Sequence, residues 1–137
     1  MSDLTKGLDL YDIDSAEITR QLLINDDFLM SLVGGEDKVF KFHVPEENRE
    51  DPPIIRIHPI SELPTEYADN EQLGWDCIVQ IDVWDYSNAR GLALEVNKLM
   101  KTIDFQQTTP TFELDPDTYL IRDGRRYRGK ILKDLQK

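Results

Sequence analysis

Residues 76–103 read "DCIVQIDVWDYSNARGLALEVNKLMKTI", and their changing rhythm decides the fold. Cys77, Val79, Ile81 and Val83 alternate with Asp76, Gln80, Asp82 and Trp84. That period of two predicts a strand with one apolar face toward the core. Ile78 interrupts the polar side, so the second face is expected to be partly covered. Beyond Asp85 the period lengthens. Ala89, Leu92, Ala93, Val96, Leu99, Met100 and Ile103 form one stripe at helical spacing, with Arg90, Glu95, Asn97, Lys98 and Lys101 off it. Asp85 or Ser87 is the expected N-cap.

Working outward, "DSAE" from Asp14 suits a helix start. Ile18, Leu22, Leu29 and Leu32 mark a stripe along one helix that Gly34 and Gly35 end, with Asp26 and Asp27 on its outer side. "DKVFKFHV" (37–44) and "IIRIHPIS" (54–61) read as strands, Pro59 placing the latter's far end at an edge or bulge. "PEENREDPP" (45–53) and "ELPTEYADNEQL" (62–73) read as long polar connections. "TPTFELD" (109–115) and "YLIRDGRRYRGKIL" (119–132) close the chain as strands, with a tight turn possible at Asp123-Gly124. The order is α-β-β-β-α-β-β. It predicts an α+β domain over residues 14–137, a mostly antiparallel sheet packed by two helices, after a loose acidic arm at 1–13.

With 137 residues, one domain is the natural reading. No apolar run reaches the ~20 residues of a membrane helix, and the acidic start "MSDLTKGLDLYDIDS" is unlike a signal peptide, so synthesis inside the cell is expected. One cysteine forms no internal disulfide. The net charge of −11 is unevenly spread: Leu120 to Lys137 hold seven Lys or Arg against two acids, leaving −16 on the rest. An acidic body argues against nucleic acid as main partner. A basic edge facing an acidic surface on a second copy fits such a distribution, as does a solvated hairpin.

For chemistry, Cys77 is the candidate nucleophile with His43 or His58 as base. Its place on the apolar face makes it a core residue. The two histidines with a carboxylate would be metal ligands, but no motif fixes their spacing. Asp76 and Asp82 share a strand face yet lie roughly 20 Å apart, too far to act on one bond. Gly34-Gly35 follows a helix, so it cradles no phosphate, and no Walker, G-x-G-x-x-G or G-x-S-x-G motif occurs. No catalytic residue, metal or cofactor is therefore expected. A small hydrolase or metal enzyme using His43, His58 and Cys77 is the rival of another class, and an acidic regulator mimicking DNA is a third. Trp75, Trp84, Tyr86, Tyr119 and Tyr127 are candidates for an interface or for packing beneath loops.

The run "LVGG", then "KVF", and above all "VQIDVWDYSNARGLALEVNKLM" (79–100) resembles the tail terminator, or tail completion, proteins of long-tailed siphoviruses of Gram-positive hosts. The resemblance spans about residues 15–132 and involves no catalytic motif. It implies an α+β virion protein without cofactor. It implies a homo-oligomeric ring, hexameric in the family, that caps the tail tube and stops its growth. The partners it implies are the major tail protein on one side and a head-completion (connector) protein on the other. Made in the bacterial cytoplasm, the protein would end in the virion at the head-proximal end of the tail. A capsid-side head-tail joining protein is the nearest alternative. On this reading Arg122, Arg125, Arg126 and Arg128 are the expected subunit or neck contacts. The acidic loop of Glu46, Glu47, Glu50 and Asp51 is their counterpart.

Overall fold

A computed structural model describes residues 13–68 and 71–132, with side chains of 66–68 and 71–73 left aside. The expected arm at 1–13 thus lies almost entirely outside the described residues. The chain orders as helices α1 (Ser15–Ile24) and α2 (Asp27–Val33), strands β1 (Val39–Lys41), β2 (Ile54–Ala68) and β3 (Glu71–Asp85), helix α3 (Ala89–Thr102), then β4 (Gln106–Leu114) and β5 (Ile121–Leu132). One five-stranded sheet runs β1-β2-β3-β5-β4. Among the described residues only the short β1–β2 pair is parallel. The three α-helices among the described residues share one core with a single sheet face. This is the α+β sandwich the sequence predicts, with one helix more.

The extra helix comes from a break at Asn25-Asp26. Both side chains compete for backbone hydrogen bonds and lower helix propensity. Asn25 caps the end of α1, and Asp26 caps α2 by accepting the Leu29 N–H at 2.9 Å. Asp26 is therefore a cap rather than an outer-face residue, and the break rotates the register. Ala16, Thr19, Leu23, Leu29 and Val33 are buried, while Ile18 and Leu32 stand 40% exposed. Asp14 caps α1 as expected, accepting the Glu17 N–H at 2.9 Å. Gly34, at φ +98°, ends α2 in the left-handed conformation that glycine adopts without a Cβ penalty.

The strand-to-helix unit at 76–103 follows its pattern closely. Cys77, Val79, Ile81 and Val83 are buried on the core side, under Ala89, Leu92, Ala93, Val96 and Met100 of α3. The cap differs: Asn88 occupies the N-cap position, and Asp85 instead accepts the Asn88 N–H at 3.0 Å. The first strand is shorter than "DKVFKFHV" suggests. It stops at Lys41 because Phe42 takes a positive φ of 65°, which breaks the extended line.

Two connections were misread from composition. Within "ELPTEYADNEQL", residues 62–68 and 71–73 are strand rather than loop, since β2 and β3 pair from Ile54↔Trp84 to Ala68↔Glu71. Among the described residues β5 pairs only with Gly74–Asp85, so there the β2–β3 pair continues past the other strands as a two-stranded arm. Asp123-Gly124 makes no turn: both residues are paired and buried mid-strand in β5, opposite Val83 and Asp82. Pro59 does sit at a bulge, with Ile60 as the extra residue, and a second irregularity on β4 brings Pro110 opposite Arg125. Proline lacks the N–H a regular ladder would use.

Two carboxylate and ring contacts tie the layers together. Glu62 of β2 accepts the Ser15 N–H at 2.8 Å, placing a negative charge at the N-terminus of α1. Phe105, 1% exposed, lies across Gly129 of β5 so closely that a Cβ there would fall within the ring's van der Waals envelope. Gly129→Ala is therefore expected to cost about 1–3 kcal/mol by overpacking. Urea unfolding of the variant and the parent measures it, and an unchanged midpoint would contradict this packing.

Candidate interaction surface on the open sheet face

The face of the sheet away from the helices is built by the second half of each strand's alternation. β3 contributes Asp76, Ile78, Gln80, Asp82 and Trp84, and β2 contributes Arg56 and His58 opposite Asp82 and Gln80. β5 brings Arg122, Gly124, Arg126, Arg128 and Lys130 opposite Trp84, Asp82, Gln80, Ile78 and Asp76. Arginines thus line up beside carboxylates and an amide on the neighbouring strand.

Asp82 is fully buried, yet it stands on this nominally open face. The long side chains of Arg56 and Arg122 roof it over. Arg56 Nη2 reaches Asp82 Oδ2 at 2.5 Å and Arg122 Nη1 reaches Oδ1 at 2.7 Å. Gln80 Nε2 adds a third donor to Oδ1 at 3.0 Å. Arg56 also lies over the Trp84 ring, 5.2 Å from its centroid. A buried carboxylate is tolerated only with such compensation. Gly124 makes room for it: a Cβ there would sit 2.6 Å from Asp82 Oδ1 and 3.1 Å from Thr111 Oγ1.

Further along the strip, Arg126 Nε donates to Gln80 Oε1 at 3.0 Å, and Arg128 holds Asp76 with contacts of 2.6 and 3.2 Å. Both arginines are exposed. Beside them, Leu63 and Leu132 of the same face stand 57% and 65% exposed at the base of the arm. Exposed apolar side chains on the face that also carries exposed arginines make this face a candidate for a protein contact.

The four expected arginines thus part company. Arg125 faces the helix side, 7% exposed, its fork closed on Asp123 at 2.8 and 3.1 Å and on Gln107 at 2.8 Å. Arg122 is half-buried and divided between Asp82 and Glu113. Arg126 and Arg128 remain presented outward. Sequence spacing holds the signal for this split. Arg125 falls on the same alternation as Tyr127, a core position, whereas 122, 126 and 128 fall on the other.

The acidic loop lies at the far end of the same strip. Glu46, Glu47, Glu50 and Asp51 are exposed, around a 3-10 turn at Glu46–Asn48. Lys38 approaches Asp51 at 3.8 Å. Glu46 and Glu50 of the loop line a hollow of about 470 Å³ together with Arg56, Trp84 and Asp115. Along β3, Gln80 opposite Arg126 lies four residues from Trp84 and Ile78 opposite Arg128 lies six, roughly 13 and 20 Å. The structure therefore does not bring the acidic loop to Arg126 and Arg128 within one molecule.

Cys77, read from its alternation as a core residue, is sealed away. Cys77 is buried on the core face, and burial pushes its thiol up to about 12. His58 sits on the opposite face, edge-on to Phe42 at 5.6 Å, and His43 stands exposed beside the hollow. Cys77 and the histidines are not brought together. Among the described residues no three His, Cys, Asp or Glu side chains form a metal-sized group. Of the aromatics, Trp75 and Tyr127 prove to be core, Trp84 half-buried, and Tyr86 and Tyr119 exposed. Burial also lifts the Tyr127 phenol to about 12.

The chain matches no known family model and no curated protein. Its fold is similar to that of a chain in a solved structure described as the virion of a native gene transfer agent (GTA) particle. The likeness has a TM-score of 0.65 and 15% identity, over 84% of this chain and 92% of that one. At this identity it is a likeness of fold.

Two outcomes follow from the charges. Asp82→Asn leaves Arg56 and Arg122 without their shared counter-charge. Because both arginines retain some contact with water, the expected loss is about 2 kcal/mol, read from urea unfolding. Arg128 holds the Asp76 carboxyl below its usual range by hydrogen bond and charge, with Lys130 adding to it. A lowered folded pKa gives stability that is complete above the unfolded pKa and is lost as pH falls through the folded one. The Asp76 contribution should thus persist at pH 5 and fade below about pH 4. Arg128→Gln should flatten that part of the profile in acid titration of stability; an identical profile would contradict the pairing.

Proposed function

We propose that this chain is a virion protein that works by assembly, a tail terminator whose copies form a ring on the end of a phage tail tube. The observation carrying this reading is the fold likeness to a virion chain, which spans nearly all of that chain. The resemblance of Val79 to Met100 to the tail terminator family points the same way, since this stretch forms the β3–α3 unit around which the fold is built. The ring would be hexameric. Its partners would be the major tail protein and a head-completion protein, at the head-proximal end of the tail in the virion.

The charge layout favours contact between copies. Arg126 and Arg128 lie roughly 13 and 20 Å along the open face from its Trp84 end, where the acidic loop sits, and among the described residues neither pairs with that loop within one chain. Placed head-to-tail, the basic end of one copy meets the loop of the next, and a rotation that closes makes a ring. Such contacts speed association and fix register. In this proposal Arg126 and Arg128 form the contact with Glu46, Glu47, Glu50 and Asp51. Arg122 supports them from the strip, while Arg125, closed on Asp123, acts from inside the fold. The role is non-catalytic: the Cys77 thiol is buried and the sheet separates it from His58.

Reversing charge at both Arg126 and Arg128 should leave the fold intact, and electron microscopy of the resulting particles reads the function. Overlong tails, or heads and tails left unjoined, are expected. Normal virions would remove these residues from the contact. Particles with normal-length free tails in a knockout of the whole gene would instead assign the protein to the capsid side of the neck.

A further inference from the structure

We infer that residues 1–12 of this chain dock on the β2 side of its own open sheet face, seated on Phe42, Ile60, Leu63 and Ile78. Ile78 breaks the polar alternation of β3 and is half-buried opposite Ser61 of β2. Leu63, two residues beyond Ser61 on the same side, is 57% exposed, and Ile60, the bulge residue next to Ser61, is 38% exposed. Phe42, 52% exposed, lengthens this strip by standing edge-on to His58 at 5.6 Å. A contiguous apolar strip of this kind on a polar sheet face marks a place where another segment packs.

Two contacts fix where residues 1–12 leave the fold. The Ser15 N–H donates to Glu62 at 2.8 Å, and Asp14 Oδ2 lies 3.4 Å from Lys41 Nζ. Glu62 precedes Leu63, and Lys41 precedes Phe42. The chain therefore enters α1 at the margin of the sheet, between the two ends of the strip. From His58 to Leu63 is five residues of β2, roughly 16 Å. Twelve residues reach about 40 Å when extended and about 18 Å as a helix, so they span the strip in either form. Leu4, Leu8, Leu10 and Tyr11 supply the apolar side chains.

The contact is one of side chains and not a further strand, because β2 carries Pro59 and Pro64 along this stretch, each without an N–H. The chain's own segment is favoured over a second copy by its tether. Joined at the margin of the strip, it meets its seat at an effective concentration in about the mM range. The inference does not rest on the ring reading, since it concerns contacts within one chain.

The test is NMR of the full-length, ¹⁵N-labelled chain carrying a nitroxide on the thiol introduced by Lys6→Cys. The buried Cys77 does not compete for the label. Dilution into excess unlabelled parent chain restricts the effects to those within one molecule. Line broadening concentrated at the amides of Phe42, Ile60, Leu63 and Ile78 is expected, with those of Leu94 and Tyr119 spared. Adding Leu8→Ser and Leu10→Ser should lower the docked population read from that broadening roughly tenfold, because two leucine side chains lose their burial. The amide signals of β3 and α3 should stay those of the parent. Broadening that is absent from the strip, spread evenly over the chain, or unchanged by the two serine substitutions would overturn the inference. So would broadening that arises only between separate spin-labelled and ¹⁵N-labelled molecules, since the occupant would then be a second copy.

Discussion

Strand β3 is hydrogen-bonded along both of its edges, to β2 on one side and β5 on the other, and everything else takes its position from that double pairing. A slip by one residue would carry Cys77, Val79, Ile81 and Val83 out of the core and drive Asp76, Gln80 and Asp82 into it. The apolar set resists this by burial against α3. The polar set resists it through specific partners, because Asp82 meets Arg56 and Arg122 only in the native register. One strand thus carries two registers of information, a non-directional one on the helix side and a directional one on the other.

How much of this was legible depends on whether one period or several acted on a segment. The 76–103 unit was readable because strand and helix each obey a single period and burial follows it. The helix at 15–33 was half-readable: its ends were marked by Asp14 and Gly34, but the break at Asn25-Asp26 shifted the buried set to Leu23, Leu29 and Val33. Composition misled at 62–73, where acids and Pro64 suggest a loop. The strand survives because much of it pairs only on one side, where charge costs little and proline removes no needed donor. Asp123-Gly124 misled for the opposite reason. Gly124 is mid-strand to clear space for Asp82, a demand that comes from the neighbouring strand and leaves no trace in local sequence.

The open sheet face was legible in its chemistry and less so in its geometry. Seven basic residues near the C-terminal end announced a positive region. Alternation separates Arg126 and Arg128, which face outward, from Arg125, which closes on Asp123 among core neighbours. Arg122 falls on the outward side by pattern, but its half-burial depends on Asp82, Glu113 and the absence of a side chain at 124. Pair partners 40 residues apart in sequence cannot be found from spacing in one strand.

The prolines at the sheet's margins have a consequence for how copies can add to one another. Pro59 and Pro64 lie on β2 beyond the stretch that β1 covers, and Pro110 interrupts β4 at the opposite margin. Each removes an N–H from a strand that borders solvent, so neither margin offers an unbroken ladder to an incoming strand. Open-ended growth of the sheet into a fibre is disfavoured at both sides. Any contact between copies would then fall to side chains on the faces and at the ends of the sheet, where it need not extend the ladder.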